Sequence, residues 1–166
     1  ARPSGRQLKR TGGVASGPIP LLYTLNEVGR NVMQGGSRRS ALYGSMNWQH
    51  EDAWKLLHTK NWHEMRIGDT TLAQLKQADF NFPAPLDMMN ISLNYDDAWL
   101  KNPINSTFME NVRQAMMTGE PGFSFNFGDK QDETLRNACT EITSEDDSDV
   151  CNLGSVNLAN IKTLDE

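Results

Sequence analysis

Segments with the periodicity of helices alternate along this chain with segments that read as strands, and this alternation constrains the fold more than any other feature. Apolar residues recur at helical spacing over residues 19–33, and a short helix is predicted over residues 51–59. The predicted strands are residues 40–48 (SALYGSMNW), 90–95 (NISLNY) and 123–127 (FSFNF). Because helices lie between strands, the pattern predicts an α/β fold with mostly parallel pairing.

Cap and turn signals set the expected limits of these elements. Residues 2–20 hold four glycines and three prolines and are predicted to form a loop. Gly35–Gly36 is expected to end the first helix, since glycine tolerates the left-handed cap conformation. Two further helices are expected, one running to Ala78 and one through Met117. Their expected N-caps are Asp69 or Thr70 and Asn105 or Ser106.

The charge balance excludes several classes of partner. The 166 residues include 16 lysines and arginines and 21 aspartates and glutamates, for a net charge of −5. This composition provides no overall basic field for nucleic acid or anionic lipid, and no apolar run approaches the length of a membrane span. Two cysteines are far fewer than a disulfide scaffold needs. We therefore expect a soluble, intracellular protein with reduced thiols and no nucleic-acid or membrane partner.

Both cysteines lie near the end of the chain, within a polar segment. In an extended segment Asn137, Cys139 and Glu141 would point to one face, so that an amide, a thiol and a carboxylate could converge on one substrate. On spacing alone, two buried thiols or one disulfide remain alternatives. Cys151 is read equally well as a small buried hydrophobic residue.

Other conspicuous residues have simpler interpretations. The glycine-rich segments TGGVASG and QGGSRRS could bring backbone N–H groups to a phosphate. Neither matches a phosphate-loop or dinucleotide motif, and ordinary turns are the alternative. The three histidines do not have the spacing of a metal motif, so no metal site is predicted.

The order of several motifs carries a resemblance to a known family. The motifs are RPSG…TGGVASGP, QGGSRRSA, DFNFPAP, NIS, GEPGF, LRNACTEI and CNLGSVNLANI. Together they resemble the catalytic subunit of a ribonucleotide reductase over essentially the whole chain. The segments RRSALYGSMNW and TSEDDSDVCNLGS are most similar to its adenosylcobalamin-dependent branch, which includes phage-type members.

The resemblance implies a fold and a domain layout. The family fold is a ten-stranded α/β barrel of two parallel halves with a finger loop in its centre. Residues 1–166 would be a central fragment of that barrel domain. Residues 1–20 would form the specificity and effector region, and residues 135–160 the finger loop and the strand with the redox cysteine.

The resemblance also implies roles for four residues. Cys139 would become a thiyl radical and take the 3′ hydrogen of the ribose. Glu141 would accept the proton of the 3′-hydroxyl group, and Asn137 would hold the substrate hydroxyls. Cys151 would be one half of the cysteine pair that delivers electrons.

Cofactors and partners follow from the same resemblance. It implies adenosylcobalamin and nucleoside triphosphate effectors, although none is expected to bind this fragment alone. The substrate would be a ribonucleotide, and the enzyme would be of the ribonucleoside-diphosphate reductase type. It would act in the cytoplasm of a bacterium or phage-infected host. Expected partners are a thioredoxin-like or dithiol reductant, the remaining segments of the reductase and a second copy in a homodimer. The plausible effector contacts in the loop 4–13 are Arg6, Gln7, Lys9 and Arg10.

Two alternatives remain open. The chain could come from a class I large subunit, in which a separate subunit supplies the radical. It could also be an inactive assembly module that contributes a half-barrel to a partner, because the expected partner of Cys151 is absent from these 166 residues.

Overall fold

A computed structural model describes residues 1–32, 36, 39–130, 136–143 and 152–163. The helices are α1 (Ile19–Asn31), α2 (Ala53–His58), α3 (Leu72–Ala78), α4 (Asp97–Leu100) and α5 (Ser106–Thr118). The strands are β1 (Leu42–Asn47), β2 (Arg66–Ile67), β3 (Thr70–Thr71), β4 (Met89–Tyr95) and β5 (Gly122–Phe125). Single 3-10 turns cover Gly128–Lys130 and Leu158–Asn160. The predicted α/β class is confirmed.

Strands β1, β4 and β5 form a parallel sheet with β4 in the centre. The register places Ser45 opposite Ser92, and Asn94 opposite Ser124. Parallel strands need a crossover connection, and the intervening helices supply it. Strands β2 and β3 form a separate antiparallel pair.

One face of the parallel sheet carries the apolar core. Successive side chains of a strand point to opposite faces, so every second residue from Met89 to Tyr95 points toward the helices. The ring centroid of Tyr95 lies 5.4 Å from those of Trp99 and Phe108. Its hydroxyl donates a hydrogen bond to Asn111 Oδ1 at 2.8 Å. The buried apolar residues of this core are Met46, Ala53, Leu56, Leu57, Leu86, Met89, Ile91, Leu93 and Tyr95.

The opposite face of the same sheet carries hydroxyl and amide side chains. In β4 the residues between the apolar ones are Asn90, Ser92 and Asn94. The register places Ser45 and Ser124 beside them. Asn94 Nδ2 donates to Ser45 Oγ at 3.2 Å, which links β4 to β1 across this face. We call this surface the polar face of the sheet.

A buried carboxylate fastens helices α1 and α3 to the chain that enters β4. Asp87, whose side chain is inaccessible to solvent, accepts hydrogen bonds from Asn26 at 3.2 Å, Arg30 at 3.1 Å and Lys76 at 2.7 Å. Asn26 in turn accepts a hydrogen bond from the backbone N–H of Met88 at 2.8 Å. Burial would raise the pKa of Asp87, but the hydrogen bonds from Arg30, Lys76 and Asn26 outweigh it and lower that pKa. The carboxylate therefore stays charged between two cations.

Several predicted boundaries are corrected by the structure. Helix α1 ends at Asn31 rather than residue 33, and Gly35 of the pair expected to end it lies outside the described residues. Strand β1 covers residues 42–47 rather than 40–48, and β5 covers residues 122–125 rather than 123–127.

The structure confirms the predicted cap of α5 and corrects the predicted cap of α3. Helix α3 is capped by Thr71, not by Asp69 or Thr70, because Thr71 and Gln74 form a reciprocal capping box. Asn105 caps α5 as predicted, with its side chain accepting a bond from the N–H three residues on. The sequence patterns do not predict β2, β3 or α4, which are too short to show a period. None of the helices in the described ranges is long and apolar enough to cross a membrane.

Candidate active site

Residues 136–143 form a short hairpin that carries Cys139. The first and last residues of this segment pair as an antiparallel bridge. The N–H of Asn137 donates to the carbonyl of Ile142 at 3.3 Å, and the N–H of Thr140 donates to the carbonyl of Asn137 at 3.0 Å. Thr140 has a left-handed backbone with φ of 72°. The chain therefore reverses direction around Cys139, which is exposed and has a free thiol.

The side chains of Asn137 and Glu141 meet across this turn. Asn137 Nδ2 donates to Glu141 Oε1 at 2.7 Å, and Asn137 Oδ1 accepts from the N–H of Ile142 at 3.2 Å. The expectation that Asn137, Cys139 and Glu141 share one face of an extended segment is wrong, because the segment is a turn. The amide and the carboxylate do converge, but chain reversal rather than strand alternation brings them together.

The hairpin lies against the polar face of the sheet. Asn90 Nδ2 of β4 donates to the carbonyl of Ala138 at 2.6 Å. Arg136 Nε donates to Ser124 Oγ of β5 at 2.6 Å, and its Nη2 donates to Asn126 Oδ1 at 2.7 Å. Two neighbouring strands thus hold the segment that presents the cysteine.

Three buried polar atoms of this sheet have no hydrogen-bond partner within the described part of the chain. They are Tyr43 Oη, Asn94 Oδ1 and Asn126 Nδ2. Buried polar groups are nearly always hydrogen-bonded. The register and the contact with Arg136 place all three residues on the polar face. The hydrogen bonding of the polar face is therefore incomplete within the described residues.

Sequence reasoning missed the residues that hold the hairpin. Neither Asn90 nor Arg136 was expected to belong to a site. The available signal was the alternation of polar residues in β4, where Asn90, Ser92 and Asn94 occupy every second position. A strand with such a polar stripe indicates that its second face contacts something polar.

Cys151 and the acidic run at residues 144–149 lie outside the described residues. The predicted role of Cys151 therefore stays a prediction.

The N-terminal loop expected over residues 2–20 is folded as a second hairpin. The N–H of Gly5 donates to the carbonyl of Ala15, and the N–H of Leu8 to that of Gly13, both at 2.8 Å. Gln7 forms an antiparallel bridge with Val14. The chain reverses near residues 9–12, where Gly12 has φ of 68° and its N–H donates to the carbonyl of Leu8 at 3.1 Å.

One side of this N-terminal hairpin forms a cationic cleft of about 630 Å³. All four predicted effector contacts lie in its wall, and Arg6 also pairs with exposed Glu51 at 3.3 Å. Several cations around one concave surface favour an anionic ligand. The lining residues are Arg2, Arg6, Gln7, Leu8, Lys9, Arg10 and Thr11.

Asp52 anchors the N-terminal hairpin to helix α2. Its buried carboxylate accepts hydrogen bonds from the N–H of Ser4 at 2.7 Å, from the Ser4 hydroxyl at 2.5 Å and from Lys55 Nζ at 2.9 Å. Gly17 has φ of 82°, and a Cβ there would lie 2.9 Å from Asp52 Oδ2. Burial would raise the pKa of Asp52, but the hydrogen bonds from Ser4 and Lys55 outweigh it and lower the pKa to about 2.

In the described ranges, His, Cys, Asp and Glu side chains do not gather in groups of three or more that could hold a metal ion. We therefore assign none of these side chains as a metal ligand.

Comparison with known proteins identifies the family. Residues 1–119 match the family described as ribonucleotide reductase, barrel domain. The chain therefore belongs to the ribonucleotide reductase barrel-domain family, and its sheet and helices are part of an α/β barrel.

Two relatives are similar over almost the whole chain. One, at 29% identity, is assigned as an adenosylcobalamin-dependent ribonucleoside-triphosphate reductase of Mycobacterium phage D29; the match covers 95% of this chain and 27% of the relative. The other, at 27% identity, is the vitamin B12-dependent ribonucleoside-diphosphate reductase of Thermoplasma acidophilum, with 95% and 22% covered. The chain thus spans about a quarter of the length of these relatives.

The family assignment confirms the resemblance to ribonucleotide reductases. The Cys139 hairpin lies beyond the matched residues 1–119, so the roles of Asn137, Cys139 and Glu141 stay predictions.

We predict that Asp52→Asn destabilises the protein by about 2 kcal/mol near pH 6, because the amide Nδ2 cannot accept the bonds from Ser4 or Lys55. The lowered pKa of Asp52 means that the carboxylate stabilises the fold above its ordinary pKa of 3.8. That contribution is lost as the pH falls toward about 2. Urea unfolding of both proteins near pH 6 and pH 3 measures this difference.

The matched control is Glu51→Gln, which removes the exposed pair with Arg6. This change should alter the free energy of unfolding by less than about 0.5 kcal/mol. A loss for Asp52→Asn that is equally small, or that does not shrink at low pH, would contradict the anchor.

Proposed function

We propose that this chain supplies the central active-site loop of an adenosylcobalamin-dependent ribonucleotide reductase. The enzyme would reduce ribonucleotides to deoxyribonucleotides for DNA synthesis in the cytoplasm of a bacterial or phage-infected host. One observation carries the proposal. The hairpin 136–143 presents exposed Cys139 on the polar face of the sheet, beside an Asn137–Glu141 pair at 2.7 Å.

Each residue of the hairpin has a proposed chemical task. The Cys139 thiyl radical takes a hydrogen atom from C3′ of the ribose, so that an S–H bond forms, the C3′–H bond breaks and the radical moves to the sugar. The Glu141 carboxylate accepts the proton of the 3′-hydroxyl group. The Asn137 amide holds the ribose hydroxyls. The hydrogen bond between Asn137 and Glu141 supports these two tasks, since both side chains already reach the same small volume.

Cys151 has the proposed task of delivering electrons. Together with a second thiol elsewhere in the reductase, it would give up two electrons and become a disulfide in each turnover. A thioredoxin-like protein or a dithiol would then reduce that disulfide again.

The names of both relatives support adenosylcobalamin as the radical source, rather than the separate subunit of a class I enzyme. The cofactor would supply the one-electron oxidation of the Cys139 thiol. We propose that other segments of the reductase contribute to the site of this cofactor. We propose a ribonucleoside diphosphate as the substrate. The triphosphate is the alternative, because the names of the two relatives differ on this point.

Replacing Cys139 by Ala in the complete enzyme should abolish nucleotide reduction and leave nucleotide binding within about twofold of the wild type. The measurements are deoxyribonucleotide formation with added adenosylcobalamin and equilibrium binding of the ribonucleotide. Cys151→Ser should likewise block turnover with a dithiol reductant, because the cysteine pair that supplies two electrons in each turnover is broken.

Substantial multiple turnover by Cys139→Ala would contradict the proposed radical carrier and favour the inactive assembly module. Activity that needs an iron or manganese subunit instead of adenosylcobalamin would favour the class I alternative.

We also propose that the cationic cleft binds the phosphates of a nucleoside triphosphate effector. Lys9 and Arg10 line the cleft at the exposed tip of the N-terminal hairpin. Charged groups of this kind form strong hydrogen bonds with phosphate oxygens. The Asp52 anchor would keep the hairpin in place so that effector binding can be transmitted to the sheet.

The double variant Lys9→Gln, Arg10→Gln should therefore weaken effector binding by about 10-fold or more, since each lost charge-assisted bond contributes on the order of 1 kcal/mol. Turnover without effector should change by less than about twofold. Arg66→Gln, at an exposed site in β2, is the matched control and should leave effector affinity unchanged. An unchanged dissociation constant in the double variant would remove the cleft from effector binding.

Helix α1 carries an apolar stripe that supports the proposed homodimer. Leu21, Leu25, Val28 and Val32 are 59%, 40%, 53% and 58% exposed, whereas Leu22 packs against the core. Leu21, Leu25 and Val28 are spaced by four and three positions, the spacing with which helices pair in coiled coils, and Val32 is the extended residue that follows α1. We propose that this stripe pairs with the same stripe of a second copy.

The double variant Leu25→Lys, Val28→Lys should raise the dimer dissociation constant at least about 100-fold, because central interface residues contribute most of the binding energy. Sedimentation velocity of the complete enzyme measures this change. Met116→Lys, which alters an apolar residue that is 83% exposed on α5, should leave the dimer intact. A wild-type protein that is monomeric at micromolar concentration, or a double variant that still dimerises, would contradict this interface.

A further inference from the structure

The carbonyl groups of Ala138 and Thr140, the two residues that flank Cys139, both accept hydrogen bonds from side chains. Asn90 Nδ2 donates to the carbonyl of Ala138 at 2.6 Å. Arg136 Nη1 donates to the carbonyl of Thr140 at 3.4 Å. The chain on both sides of the cysteine is therefore tied to the sheet, on one side by Asn90 directly and on the other through Arg136, which is itself bonded to β5.

Arg136 is itself fixed by strand β5 and the residue that follows it. Its Nε donates to Ser124 Oγ at 2.6 Å, and its Nη2 donates to Asn126 Oδ1 at 2.7 Å and to the carbonyl of Phe125 at 3.4 Å. The guanidinium group thus uses three nitrogens on four acceptors. The planar, five-donor geometry of arginine suits such bridging, and a lysine ammonium cannot reproduce it.

We infer that Arg136 and Asn90 are positioning residues that set the place of Cys139 over the polar face of the sheet. Arg136 bridges β5 to the C-terminal side of the turn, and Asn90 ties β4 to its N-terminal side. The cysteine lies between two bonded carbonyl groups, and each is connected to a different strand of the same sheet. This inference rests on the proposed function of Cys139, which needs its sulfur held at one distance from the reacting carbon.

Precise placement matters because hydrogen transfer falls steeply with distance. A displacement of about 1 Å at a reacting group can lower a rate by about 100-fold even when the substrate still binds. Loss of the hydrogen bonds from Arg136 and Asn90 would therefore lower kcat, with little effect on KM. A general loss of stability would instead loosen the sheet as well as the hairpin.

The test uses Arg136→Gln, Arg136→Lys and Asn90→Ala in the complete enzyme. For Arg136→Gln we expect kcat to fall by about 10- to 100-fold with KM within about twofold. The isotope effect on a 3′-deuterated ribonucleotide should rise as hydrogen transfer becomes slower than other steps. Arg136→Lys should recover part of the loss, and Asn90→Ala should lower kcat by about 10-fold.

Hydrogen exchange followed by mass spectrometry tests the positioning without substrate or cofactor. In Arg136→Gln the amides of residues 137–142 should exchange at least about 10-fold faster, while those of Met89–Tyr95 should be unchanged. Adding Ser124→Ala to Arg136→Gln should cause little further change, because both act through one contact. Arg66→Gln and Asn102→Ala, both at exposed positions, are the matched controls and should behave as wild type.

The possible results separate this inference from the proposed function. Wild-type kcat, or unchanged exchange in residues 137–142, in Arg136→Gln would overturn the positioning role while leaving Cys139 as the radical carrier. Equal acceleration of exchange in the hairpin and in β4 would also overturn it, because that result indicates a general structural role. Activity in Cys139→Ala would overturn the proposed function. The exchange experiment would still test whether Arg136 and Asn90 position the hairpin.

Discussion

The parallel register of β1, β4 and β5 is the constraint on which the rest of the structure depends. With Ser45 beside Ser92 and Asn94 beside Ser124, all three strands direct their apolar residues to one face. A slip of one residue between two strands would exchange those faces, because the side-chain period of a strand is two. The register therefore determines both where the helices pack and where the Cys139 hairpin lies.

The polar face explains why β4 does not read like an ordinary parallel strand. Parallel sheets covered by helices on both faces usually show continuous apolar runs. The sequence of β4, MNISLNY, alternates instead. In an α/β barrel the helices cover the outer surface and the other face of the sheet points to the interior. The polar face is therefore the inner surface of this part of the barrel, and it meets the hairpin through Asn90, Ser124 and Asn126.

Charged groups near the N-terminal end of β4 keep this arrangement in place. Asp87 joins α1 and α3 to the start of β4. Lys60, which is nearly buried, donates to both carboxylate oxygens of Glu120 at 2.9 Å and to the carbonyl of Met89 at 2.8 Å. Because Met89 is the first residue of β4, both networks fix the central strand at its N-terminal end. Removing one partner of such a buried pair leaves a charge without compensation, which is strongly destabilising.

Local patterns predicted the main helices and strands but not the contacts that assemble the site. The α/β class and the cap at Asn105 follow from periodicity and cap chemistry within a few residues. The bonds from Asn90 to Ala138 and from Ser4 to Asp52 each join residues 48 positions apart, and no local signal marks them. The meeting of Asn137 with Glu141 was expected, but it depends on a turn at Thr140 that strand periodicity cannot reveal.

The central claim is that Cys139 acts on a ribose held over the polar face of the sheet. A crystal structure of the complete enzyme with a bound ribonucleotide tests it most directly. If Cys139 carries the radical, C3′ should lie about 3.5 Å from Cys139 Sγ, the separation expected of reacting groups. The ribose hydroxyls should contact Asn137 and Glu141. A nucleotide whose ribose lies away from Cys139, with the polar face covered by other protein side chains, would contradict the proposed role of Cys139.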